Sequence, residues 1–65
     1  MAQKECDIIV AREDGTFGVA RTTLNSNEYD PNSLKGEYAS LIEAITKHEF
    51  HANGWKLHPS AAAYR

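Results

Sequence analysis

Apolar and polar positions alternate over residues 6–24, CDIIVAREDGTFGVARTTL, in two β-rich runs broken by Asp14-Gly15. Both residues of that pair tolerate positive φ, so the break predicts a β-hairpin closed by a two-residue loop. Such a loop sets Val10 opposite Val19 and Arg12 opposite Phe17, and places Ile8, Val10, Phe17 and Val19 on the face that meets the core. Ile9, Ala11, Gly18 and Ala20 then fall on the opposite face, nearer solvent.

Residues 25–33, NSNEYDPNS, are rich in turn formers, have no apolar period, and predict a loop whose only large apolar group is Tyr29. Asp30 before Pro31 is a helix-start signal, a capping carboxylate followed by a residue whose missing N–H costs nothing in a first turn. Gly36 weakens that start and moves the firm helix toward Glu37. Leu34, Tyr38, Leu41, Ile42 and Ile45 then recur at helical spacing and form one apolar stripe. The helix either stops near Lys47 or His48, with Phe50 returning to the core, or runs to Ala52 and stops at Asn53-Gly54. The left-handed preference of that last pair favours the longer form, with Glu49 at the rim of the core.

GWKLHP then predicts a short strand with Trp55 and Leu57 on one side, Lys56 and His58 on the other, and Pro59 limiting further pairing. A helix running into Gly54-Trp55-Lys56-Leu57 resembles the helix-to-strand passage of certain short bacterial and phage domains, a likeness that implies no activity. The whole reads as an α+β fold, a small ββαβ domain: a three-stranded mixed sheet of order 2-1-3 with one amphipathic helix on one face. A right-handed crossover makes the third strand parallel to the second. Residues 1–65 form a single domain in this reading, with residues 1–5 and 60–65 as fraying tails.

At 65 residues the chain buries roughly 60% of its unfolded surface, which leaves a thin core and no room for a deep cleft. A lone cysteine, Cys6, makes no internal disulfide, so the expected compartment is reducing and the expected location cytoplasmic. No apolar run suits a signal sequence or a membrane span. The net charge of −2 and the scattering of the seven basic residues argue against a phosphate-binding stripe. Nucleic-acid binding through Lys47, Lys56, His58 and Arg65, where the balance turns basic, is an alternative to be tested against that expectation.

Three histidines, His48, His51 and His58, gather around the single tryptophan. On a helix His48 and His51 lie one turn apart and suit a metal, but His58 lies beyond a turn and Cys6 far off, so surface histidines are the plainer expectation and no metal or cofactor is assigned. Cys6 beside Asp7 lacks the positive surroundings that activate a thiol, and no serine sits in a nucleophile context. An enzyme is therefore not expected. A small chain without such chemistry works by presenting a surface to another protein, with Phe50, His51, Tyr29, Arg21 and Arg12 as candidate contacts. A short chain with its own initiator methionine suits an accessory protein of a phage or mobile element that binds and inhibits a host protein. A second copy of the chain is a further candidate partner, because an open sheet leaves two edges.

Overall fold

The computed structural model describes residues 4–63 as β1 (Glu5–Ala11), β2 (Phe17–Thr23), a 3-10 turn (Pro31–Ser33), β3 (Lys35–Tyr38), α1 (Leu41–Lys47), β4 (Trp55–Leu57) and α2 (Pro59–Ala62). The strands form one mixed sheet in the order β3-β2-β1-β4. The α+β class and the β1–β2 hairpin agree with the sequence pattern. The strand count, the helix and the register do not.

The hairpin closes through Glu13, Asp14 and Gly15 rather than through two residues: Arg12 N–H donates to Thr16 O at 2.7 Å and Gly15 N–H to Arg12 O at 3.1 Å. Gly15 takes φ 90°, the left-handed position that a three-residue loop requires. The Asp14 Oδ1 atom accepts from Thr16 N–H at 3.0 Å and from Thr16 Oγ1–H at 2.7 Å, which fixes the turn from within. That extra residue slips the register by one, pairing Ile9 with Val19, Val10 with Gly18 and Ala11 with Phe17. A one-residue slip exchanges faces. Ile9, Phe17 and Val19 therefore share one face, and Ile8, Val10 and Ala20 the other.

Neither face is left to solvent. On the first, Ala44 of α1 and Ala61 of α2 complete the buried cluster, and Leu41, Ile45, Phe50 and Leu57 pack against it. On the second, the connection between β2 and β3 lies over the strands and brings in Tyr29 and Leu34. Thr22 Oγ1–H donates to Glu28 O at 2.6 Å, and the Lys56 ammonium donates to the carbonyls of Thr23, Leu24 and Ser26. A charged head thus gathers three loop carbonyls, of which Thr23 O also accepts from Ser26 N–H and Ser26 O from Thr22 Oγ1–H.

The long amphipathic helix is not formed. Asp30 and Pro31 do start a turn, with Asp30 Oδ1 accepting from Asn32 N–H at 2.9 Å, but it is a single 3-10 turn. Residues 35–38 then pair antiparallel with β2, with an irregular register and Gly36 at φ 81°, a value no helix tolerates. The helix starts at Ser40, whose Oγ accepts from Glu43 N–H at 3.1 Å. Counted from that cap, Leu41, Ala44 and Ile45 face the sheet, and Ile42, expected in the apolar stripe, is 75% exposed. His48 is extended at φ −81°, ψ 139°, so the shorter of the two helix ends is the one adopted, and Phe50 returns to the core.

β3 also corrects the topology. It reverses the chain after β2, so the α1 crossover joins β3 to β4, and β4 runs parallel to β1 instead of β2. Residues 60–62, expected to fray, form α2. Pro59 occupies its first turn, His58 Nδ1 accepts from Ser60 N–H at 3.1 Å, and Ser60 Oγ accepts from Ala11 N–H at 3.2 Å. Among the described residues no helix is long and apolar enough to cross a membrane.

Candidate functional site

Strand alternation places Asp7 on the α1 side of the sheet, paired in register with Arg21 on β2 and Trp55 on β4. Its residue is only 4% exposed, and both carboxylate oxygens are engaged: Oδ1 accepts from Arg21 Nε–H at 2.9 Å and Oδ2 from His51 N–H at 2.7 Å. One buried anion thus ties both hairpin strands to the segment that follows α1. Arg21 Nη1 also lies 3.5 Å from Glu5 Oε2. Hydrogen bonding to Asp7, aided by the negative charges of Asp7 and Glu5 and opposed by partial burial, holds the Arg21 guanidinium above its ordinary value. Arg21 is a permanent cation whose five donors are not exhausted by these partners.

An open cleft of about 620 Å³ lies against this pair, between β2–β3 and the end of α1. Lys35 from β3, Lys47 from the last turn of α1 and Glu49 supply its charged lining besides Asp7 and Arg21, and among the described residues neither lysine is in a salt bridge. Ser33 also lines it, and its hydroxyl donates to Asp30 O at 2.7 Å. Tyr38 Oη sits 2.8 Å from His48 Nδ1, the rings edge-on at 5.8 Å. With the phenol donating, Nδ1 is the acceptor and the proton of a neutral imidazole resides on Nε2.

From His48 the rings continue. Phe50 lies 5.0 Å from His48, and Trp55 lies 5.5 Å from Phe50 at an interplanar angle of 33°. A band of aromatic rings therefore crosses one face from β3 to the outer strand β4, where Trp55 is 40% exposed. Aromatic side chains lose little conformational freedom when a partner covers them, and tryptophan is among the residue types enriched at binding hot spots.

Of the expected contacts, Arg21, His51 and Phe50 are brought together around Asp7 and the ring band. Phe50 is half-buried against the core as well as in tilted ring contact with Trp55. Tyr29 and Arg12 lie on the other face: Tyr29 packs on the Ile8–Val10–Ala20 cluster and edge-on to His58 at 5.3 Å, and the Arg12 guanidinium lies over Gly18, where a Cβ would come within 2.7 Å of it. Arg12 Nη1 also donates to Phe17 O at 3.2 Å, so its charge serves the hairpin tip.

The basic set named for nucleic acid is engaged in separate roles among the described residues. Lys47 lines the cleft, Lys56 is anchored on loop carbonyls, His58 caps α2, and Arg65 lies outside the described residues. Because the helix ends at His48, it does not set His48 and His51 one turn apart; their Nδ1 atoms engage Tyr38 Oη and Asn53 N–H. Among the described residues no group of three His, Cys, Asp or Glu side chains converges as metal ligands would.

Sequence reasoning missed Trp55, Tyr38, His48, Lys35 and Lys47 as neighbours. The signal for Trp55 was its place as the first residue of an outer strand, where an indole has a half-empty surrounding even when it points to the core side. Tyr38 was read as part of the helix's apolar stripe and Lys35 was given no role, whereas both lie on β3, with Tyr38 packed against the Ile9–Phe17–Val19 cluster. No family profile, curated protein or solved structure matches the chain.

Proposed function

We propose that the protein is a binding module that acts by docking another protein on the face carrying the ring band and the cleft. The observation that supports this most directly is the exposure of Trp55 at the end of the run Tyr38–His48–Phe50–Trp55, next to a cleft with lysines that have no acidic partner among the described residues. Interfaces of small modules centre on such an aromatic anchor, with charged groups at the rim to set orientation and encounter rate. A net charge of −2 and the placing of Lys47 in the cleft, of Lys56 on loop carbonyls and of His58 at the α2 cap weigh against a nucleic acid as the partner. The lone reduced thiol of Cys6, fully buried in β1, suits a reducing cytoplasm, and inhibition of a host protein remains the form of activity this reading favours.

Affinity capture from the native host with the wild-type chain, the Trp55→Ala variant and the Ile42→Ala variant tests the reading. Ile42 is a matched control, since it is the most exposed large apolar side chain described and does not line the cleft. A protein recovered with wild type and Ile42→Ala, lost with Trp55→Ala, and re-formed as a complex from purified components is the expected result. Equal recovery by all three chains would remove the ring band as the docking surface.

A further inference from the structure

The cleft beside the ring band carries its own chemistry. Arg21, Lys35 and Lys47 contribute three positive charges to its lining, and Asp7 and Glu49 two negative ones, a local balance of +1 on a chain whose total is −2. Asp7 is buried and its oxygens are taken by Arg21 and His51. What faces a ligand is therefore two lysines, from β3 and from the end of α1, against the single carboxylate of Glu49, with the Tyr38–His48 pair also in the lining. A volume of about 620 Å³ falls within the range that holds a small group or a few side chains.

We propose that this cleft seats one carboxylate side chain from an acidic segment of the partner protein, so that the ring band takes the apolar part of the same segment. The assignment rests on the protein-binding reading above and names the chemistry of the partner. A balance of +1 fits a monoanion, whereas a phosphate group at neutral pH carries close to two charges and would leave one uncompensated beside Glu49. Lys35 and Lys47 act as separate point charges with freely turning donors, which suits a single carboxylate approached from β3 and from α1. Arg21, already fixed by Asp7, provides the rigid donor edge at the floor.

The test is an NMR titration of the full chain with an N-acetylated, C-amidated hexaglutamate peptide, with hexaglutamine and inorganic phosphate as the other probes. Amide shifts should concentrate at Arg21, Lys35, Tyr38, Lys47 and His48, weaken as salt is raised, and be absent with hexaglutamine. The double variant Lys35→Gln, Lys47→Gln should lose about fivefold to tenfold in affinity, the scale of two exposed ion contacts. Both lysines are exposed and outside any ion pair among the described residues, and an unchanged melting temperature will verify that the variant is folded. Equal binding of hexaglutamine, tighter binding of phosphate, or no shift at about 10 mM peptide, a range that covers millimolar affinities, overturns the proposal. A captured partner that depends on Trp55 but ignores the lysine variant removes the carboxylate seat and leaves the docking face. Hexaglutamate binding at the cleft without any Trp55-dependent partner does the reverse.

Discussion

Replacing Asp7 with alanine removes the buried anion that holds β1, β2 and the segment after α1 together. The His51 N–H bond to Oδ2, at 2.7 Å, is charge-assisted and local, worth about 1.5–3 kcal/mol. The Arg21 contact at 2.9 Å adds less, because the Arg21 side chain is 50% exposed and water screens it; about 0.5–1 kcal/mol is the appropriate scale. The sum, about 2–4 kcal/mol, corresponds to a fall in Tm of roughly 10–25 °C for a domain of this size. Asparagine separates the terms: its oxygen still accepts from His51, but its amide cannot accept from Arg21 Nε, so about 1–2 kcal/mol is lost. Arg21→Ala strands the carboxylate with one partner and costs a similar amount. Chemical denaturation of Asp7→Ala, Asp7→Asn, Arg21→Ala and the double alanine variant gives a mutant cycle with an expected coupling of about 0.5–1.5 kcal/mol. An Asp7→Ala chain that melts within about 3 °C of wild type, well under the shift of one kcal/mol, would show that the buried carboxylate ties nothing together.

Ser40→Ala, which deletes the oxygen accepting from Glu43 N–H, should destabilise by about 1 kcal/mol, read by denaturation, while Ser40→Asp should restore most of it. Lys56→Met removes the ammonium from the carbonyls of Thr23, Leu24 and Ser26 and should cost about 1–2 kcal/mol, with hydrogen exchange accelerating in residues 24–29 ahead of the strands. Bonds from the Thr16 hydroxyl and N–H hold the Asp14 carboxyl below its ordinary value of 3.8. The turn's ionic contribution is thus complete above that ordinary value and is lost as the pH falls below it through the folded value. The stability gap between wild type and Asp14→Asn should accordingly narrow between neutral pH and about pH 2, and a gap independent of pH would contradict the assignment.

The hairpin was legible because Asp14-Gly15 sits between two β-rich runs, and β4 because Trp55 and Leu57 alternate with Lys56 and His58. The register was not. A three-residue loop and a two-residue loop use the same Asp-Gly pair, and the apolar pattern did not arbitrate, since Ile8, Ile9 and Val10 are all apolar and all buried. An unbroken apolar triplet signals a strand covered on both faces, and that reading would have demanded a second covering layer from residues 25–34. β3 was hidden by a coincidence of spacing: Leu34, Tyr38, Leu41 and Ile45 satisfy a helical period, yet Gly36 at positive φ and the Ser40–Glu43 cap divide the run into a strand and a separate short helix.

The same division decides what the surface offers. A continuous helix over residues 37–52 would have carried Tyr38, Lys47, His48 and His51 on its own faces, and histidines one turn apart would have favoured a metal. Ending α1 at Lys47 instead extends His48, so its ring meets Tyr38 on one side and Phe50 on the other, and Phe50 in turn reaches Trp55. The cleft exists because β3 adds Lys35 and Tyr38 to the sheet while the end of α1 holds Lys47 opposite them. Both depend on the chain stopping a helix early at a residue whose imidazole has an aromatic partner on each side. The docking surface is therefore a product of helix termination, and a substitution that lengthened α1 would dismantle the ring band and the cleft together while leaving the β1–β2 hairpin in place.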